Sequence, residues 1–133
     1  MNIKPKLIIT FSFIGILILF SCKKNTEQDI KGTWNRVIVE NAESPYTENW
    51  VFDGQYIKIT RLDSTPGSNS YTADSGKYVI RSGISNKYLR TSGFKFQWFN
   101  NLDWRIERLK AGQLVLFSDR DNYSLYYEFT KQY

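Results

Sequence analysis

From residue 33 onward the chain breaks into short apolar or alternating runs with turn-forming residues between them. The runs are 33–40 (TWNRVIVE), 49–52 (NWVF), 55–62 (QYIKITRL), 76–81 (GKYVIR), 87–91 (KYLRT), 101–109 (NLDWRIERL), 113–118 (QLVLFS) and 123–131 (YSLYYEFTK). A further run, 94–99 (FKFQWF), continues the 87–91 run past a break at Ser92-Gly93. Runs of this length and spacing read as the strands of an all-β sandwich or barrel. Asp53-Gly54 lies between two of them and marks a hairpin, because both central positions of a type I′ turn need positive φ. Residues 63–70 (DSTPGSNS) form a loop, rich in hydroxyl residues around Pro66 and Gly67. Residues 40–48 (ENAESPYTE) read as a second loop with one helical turn, and no stretch carries an amphipathic helical pattern.

Alternation shows which side chains face inward. Leu102, Trp104 and Ile106 share one face of their run, and Asp103, Arg105 and Glu107 share the other. In the last run Leu125, Tyr127 and Phe129 oppose Tyr126, Glu128 and Thr130. This is the pattern of antiparallel strands with one wet face. Composition agrees: after residue 21 the only alanines are Ala42, Ala73 and Ala111, while aromatic residues are dense. An open sheet of about eight strands would leave two unpaired edges, and closure removes both. The expected fold is therefore all-β, a single small antiparallel up-and-down barrel.

The residue inventory excludes much chemistry. The chain has no histidine and one cysteine, Cys22. Serine and cysteine triads, and the usual zinc sites, have no base or ligands to draw on. Asp119 and Asp121 lack the glycine and glutamate that an EF-hand loop requires further on. Asp103 and Glu107 lie on the wet side of a strand, and Asn122-Tyr123-Ser124 reads as a chance acceptor pattern. We expect no enzyme activity, no cofactor and no metal. The net charge of +5 is scattered without a basic stripe, so no nucleic acid is expected either. What remains is the aromatic interior: Trp50, Phe52, Tyr78, Trp104 and Tyr127 are the candidate ligand-binding residues. A barrel of this size is either filled by its side chains or leaves room for one small ligand, and the sequence leaves both open. Trp98 and Phe99 are adjacent, so as strand residues they point to opposite faces.

The N-terminus specifies location. Lys4 and Lys6 precede an apolar run over residues 7–20. That run is shorter than the roughly 20 residues a spanning helix needs, and it suits a secretory signal. Residues 19–22 (LFSC) resemble a bacterial lipobox. The resemblance implies cleavage between Ser21 and Cys22, a diacylglyceryl group on the Cys22 thiol and an acylated amine. A lone cysteine in an exported chain fits that use, and two or three acyl chains anchor durably. Residues 1–21 are thus expected to be a signal peptide and residues 22–29 (CKKNTEQD) a flexible tether. Lys23 stands where an Asp would resemble an inner-membrane retention signal, so the outer membrane is the expected location.

Gly32-Thr33-Trp34, at the start of the first strand, resembles the opening motif of the lipocalins. Later segments are similar to those of small bacterial lipocalin-like lipoproteins: WVF at 50–52 with a tight turn, WRI at 104–106 with Leu109, LVL at 114–116 and YEFTK at 127–131. The resemblance covers residues 30–133 and implies one domain there. It implies that Trp34 packs across the closed end of the barrel beneath a basic residue, for which Lys131 is the candidate. The family's Thr-Asp-x-x-Tyr turn is missing, with DRDNY at 119–123, and the short chain implies a shallow calyx. The implied function is a monomeric, membrane-anchored protein that binds a small apolar or amphipathic ligand. The alternative is an envelope lipoprotein whose filled barrel binds a protein partner, as an inhibitor or assembly factor.

Overall fold

The computed structural model describes residues 25–38, 46–120 and 123–133. The expected signal peptide, Cys22 and residues 22–24 of the expected tether lie outside that set. Eight strands follow in chain order: β1 (Gly32–Val37), β2 (Tyr46–Phe52), β3 (Tyr56–Asp63), β4 (Tyr71–Ser82), β5 (Lys87–Ser92), β6 (Asp103–Lys110), β7 (Gln113–Arg120) and β8 (Tyr123–Lys131). Each pairs antiparallel with its neighbours, and β1 pairs with β8 to close the barrel, from Trp34 opposite Lys131 to Val37 opposite Glu128. Closure leaves no strand edge unpaired, as the alternation requires.

The inward set follows the period of two. Trp34, Trp50, Phe52, Ile57, Ile59, Tyr78, Ile80, Leu89, Trp104, Leu114, Leu116, Tyr127 and Phe129 form one buried cluster. In β6 a bulge between Ile106 and Arg108 shifts the register, so Leu109 turns toward the core in place of Arg108.

Five details depart from the sequence reading. Tyr46–Glu48, expected in a loop with one helical turn, are the first residues of β2. Residues 94–99 are no strand: Gln97–Phe99 form a single 3-10 turn within the β5–β6 connection. β4 starts five residues earlier than the 76–81 run, because Asp74 occupies an inward position that composition alone marks as loop. The β2–β3 turn centres on Gly54-Gln55. Only Gly54 has positive φ, at 114°, while the Asp53 carboxylate accepts the Gln55 and Tyr56 amides at 2.8 and 2.7 Å. Two consecutive positive φ values occur instead at Ala111 (52°) and Gly112 (73°), between β6 and β7. Lastly, residues 25–29, read as tether, form a short helix, α1. It is held because Thr26 and Ile30 are buried against the barrel.

The barrel has two distinct ends. α1 lies across one of them. The Trp34 indole of β1 donates to the Ile30 carbonyl at 2.7 Å, Lys131 of β8 to the Asp29 carbonyl at 3.0 Å, and Lys87 of β5 to the Thr26 hydroxyl at 2.6 Å. β5 is four strands from β1, on the far wall, so these bonds tie α1 to both sides of the barrel. The opposite end carries the β1–β2, β3–β4, β5–β6 and β7–β8 connections and is the mouth.

Candidate functional site

The five aromatic candidates all lie inside the barrel, and they pack on one another. The Trp50 ring centroid is 6.2 Å from Phe52, 6.4 Å from Trp104 and 5.8 Å from Tyr127. Phe52 meets Tyr78 edge-on at 5.3 Å, and Trp104 meets Tyr127 at 5.1 Å. Offset and edge-on contacts at these distances are favourable in their own right. The aromatics therefore fill the centre of the barrel and do not line an open calyx. Two of their polar atoms gain nothing from it: the Trp104 indole N–H and the Tyr78 hydroxyl are buried without a hydrogen-bond partner. Burial pushes the Tyr78 pKa up to about 12, against an opposing pull from the Gly54 backbone.

The β5–β6 connection adds to the filling. Phe94 lies against Gly76, where a Cβ would stand 2.2 Å from its ring. Only glycine admits that approach. Phe99 reaches the centre, 5.1 Å from Trp50 and 5.2 Å from Trp104. Backbone donors meet a buried carboxylate to hold this segment. Asp74, 2% exposed, accepts the amides of Ser75, Lys95 and Phe96 at 2.7, 3.0 and 2.9 Å. Asn100 pairs with both the amide and the carbonyl of Phe94, at 2.7 and 2.6 Å, and the Thr91 hydroxyl donates to the Phe99 carbonyl. Trp98 and Phe99 do not point to opposite faces, because they lie in a 3-10 turn and their rings meet edge-on at 4.7 Å. Phe99 is buried and Trp98 is 40% exposed at the rim.

Above this packing the mouth keeps a hollow of about 260 Å³. At its floor sits Glu48, 3% exposed, beside Trp50. Its Oε1 accepts from Arg36 Nη1 at 3.2 Å and from the Trp50 indole at 2.9 Å, and its Oε2 accepts from Arg61 Nε at 2.8 Å. The guanidiniums stack on aromatic faces: Arg36 stands 3.8 Å above the Tyr127 ring, and Arg61 lies 4.4 Å from Tyr46 and 5.6 Å from Phe96. Burial opposes the charge of Arg61, but the hydrogen bond and charge of Glu48 prevail and its pKa is raised. Phe96 and Trp98 complete the wall, their rings stacked at 6.0 Å. The result is a small hollow with fixed positive groups at its floor and aromatic sides, the composition expected of a site that orients a ligand.

The sequence motif residues gather at the other end. Gly32 begins β1, Trp34 is buried beneath α1, and Lys131 Nζ lies 5.1 Å from the Trp34 ring. A hollow of about 350 Å³ there, between Asp29, Trp34, Lys110, Gly112, Lys131 and Tyr133, reaches no buried carboxylate. Among the described residues no cluster of three or more His, Cys, Asp or Glu is placed to hold a metal ion.

Arg36, Glu48 and Arg61 did not stand out in the sequence, though a signal existed. Glu48 shares its parity with Trp50 and Phe52, Arg36 with Trp34, and Arg61 with Ile57 and Ile59. Three neighbouring strands thus put a charge on the apolar face, near the same end. Compared with known proteins, the chain matches no family model and no curated sequence.

Proposed function

We propose that this chain is a lipid-anchored, lipocalin-like binding protein of the bacterial outer membrane, and that it holds a small amphipathic ligand at the barrel mouth. The observation that carries the reading is the mouth hollow of about 260 Å³, floored by Glu48 with Arg36 and Arg61 and walled by Phe96 and Trp98. Its size falls just below the roughly 300–1,000 Å³ of drug-sized sites, so it suits a small molecule or one part of a larger one. The packed interior argues against a deep calyx ligand. An anchor at Cys22 would lie three residues before α1. At about 3.5 Å per residue, it would hold the α1 end against the bilayer and turn the mouth away from it.

The full chain in phosphatidylcholine nanodiscs tests the reading. Octyl amphiphiles should change its tryptophan emission saturably, since Trp50 and Trp98 line the hollow. Radiolabelled palmitate should enter the protein in cells and fail to enter a Cys22→Ser variant. An unlabelled wild type would remove the anchor, and an unresponsive emission would remove the ligand.

The filled interior also fits the second reading, a module that binds a protein partner. In that case Trp98, exposed on the rim, is the residue to carry a photocrosslinker. One dominant adduct in cells, with no amphiphile response, would favour a protein partner over a small ligand.

A further inference from the structure

We infer that the ligand of the mouth is an organic monoanion, with a carboxylate-like head seated between Arg36 and Arg61 and a short apolar tail against Phe96 and Trp98. This rests on the binding reading above and adds the chemical class. The charge balance points to it. Among the described residues lining the hollow there are two guanidiniums and one carboxylate. Glu48 is largely engaged: Arg36, Arg61 and the Trp50 indole take three of its roughly four acceptor positions. One positive charge is left over in a place where both arginines are mostly enclosed, at 23% and 21% exposed. A guanidinium offers five N–H donors, and Glu48 takes one from each. Partly buried positive charge with spare donors favours a single negative partner.

Orientation supports the same class. The Arg36 and Arg61 guanidinium carbons lie 3.8 and 4.4 Å from the Tyr127 and Tyr46 ring centroids, and each guanidinium keeps N–H groups that Glu48 does not take. Held that way, an arginine recognises a planar oxyanion through two parallel hydrogen bonds, which a lysine at the same place could not do. Glu48 plays the positioning part: it fixes both arginines, and two guanidiniums already outweigh its single charge, so a cationic guest is repelled. The aromatic wall supplies only a short apolar surface, so the tail is small or projects into water.

Three probes of equal tail length separate the possibilities: octanoate, octanol and octylammonium, titrated against the full chain in phosphatidylcholine nanodiscs by tryptophan emission. Octanoate should bind at least roughly tenfold more tightly than octanol, and octylammonium should not bind. Arg36→Gln and Arg61→Gln should each weaken octanoate by about tenfold and weaken octanol by much less, so that the ratio between the two probes falls. Should octanol match octanoate, or octylammonium bind best, the anion inference fails while binding at the mouth stands. If none of the three binds, the mouth reading itself fails. The comparison among probes uses the unmodified protein, so it holds even if an arginine variant folds poorly.

Discussion

Both ends of this barrel are covered, and the covers are built on different principles. At the α1 end the buried groups include Thr26, Ile30 and Trp34, none of them charged; the Thr26 hydroxyl accepts from Lys87 and the Trp34 indole finds a backbone carbonyl. At the mouth two carboxylates are buried, Asp74 and Glu48. Asp74 is closed off, because its acceptors are taken by backbone amides that no ligand can displace without unfolding the segment. Glu48 faces side-chain donors from two arginines that retain further N–H groups. A buried acid satisfied by backbone is part of the architecture. A buried acid satisfied by half-used arginines leaves a place where a guest can complete the set.

The difference should appear first in stability. Trp34→Ala removes a fully buried indole from the α1 end and should cost about 3–5 kcal/mol, read as the shift in a urea-unfolding curve. Trp98→Ala, on the mouth rim, should cost under about 0.5 kcal/mol. Equal losses would mean that the rim is as much a part of the core as the α1 end. Next in size is Glu48→Gln. It leaves two partly buried arginines without a countercharge. Full loss of a partner in a buried pair costs about 3–5 kcal/mol, and the partial exposure of the arginines reduces this to about 2. Asp74→Asn should cost a little less, about 1–2 kcal/mol, because one carbonyl oxygen survives to accept. Hydrogen exchange should then tell the two sites apart. The Asp74 variant should free one of the two amides of Lys95 and Phe96, which bond different carboxylate oxygens, and the Glu48 variant should leave both protected.

These contrasts also mark how far the sequence could be read. The barrel was legible because inward and outward residues alternate in β3, β8 and the first half of β6, and because closure is the simplest way to pair every edge. The pairing of Trp34 with Lys131 at one end was legible through the motif at residues 32–34. The mouth was not, for a physical reason. Its residues break the rule that makes strands recognisable, since Glu48, Asp74, Arg36 and Arg61 put charge on inward positions. The aromatic run 94–99 looks like a strand for the converse reason. Phe94 and Phe99 are buried by a connection that folds over the mouth, so their apolar character reports burial without strand geometry. The glycine that makes room for Phe94, Gly76, lies eighteen residues away in the chain, and nothing local links the two.

A smaller effect tests the packing between the ends. Tyr78 carries a buried hydroxyl with no hydrogen-bond partner. Leaving such a group unpaired costs about 1–3 kcal/mol, so Tyr78→Phe should stabilise the protein, by about 1 kcal/mol after the small loss of packing. The variant should also change behaviour in alkali. The folded-state pKa of Tyr78 is about 12, above the ordinary 10.0. The unfolded chain therefore releases this proton first. The stability tied to the neutral hydroxyl is intact below pH 10 and is lost as the pH rises toward 12. Tyr78→Phe should flatten part of that decline. Tyr127, whose pKa is raised by burial despite the nearby Arg36, and Tyr126, raised by its hydrogen bond to Glu128, add to the decline in both proteins. If the wild type and the variant lose stability in parallel above pH 10, the hydroxyl is better solvated than its position implies.

The smallest stabilisation expected lies at the α1 end, in the β6–β7 turn. Ala111 holds φ at 52°, a left-handed conformation that costs a non-glycine residue about 1–2 kcal/mol. Asparagine tolerates it better because its side chain hydrogen-bonds locally. Ala111→Asn should therefore stabilise the protein by about 0.5–1 kcal/mol, seen as a higher urea midpoint with an unchanged slope. Ligand binding at the mouth should not change, because the turn and the Glu48–arginine set lie at opposite ends of the barrel. A gain in stability with unchanged octanoate affinity would show that the two ends are energetically separate. A change in both would mean that strain at the base is transmitted along β6 and β7 to the mouth.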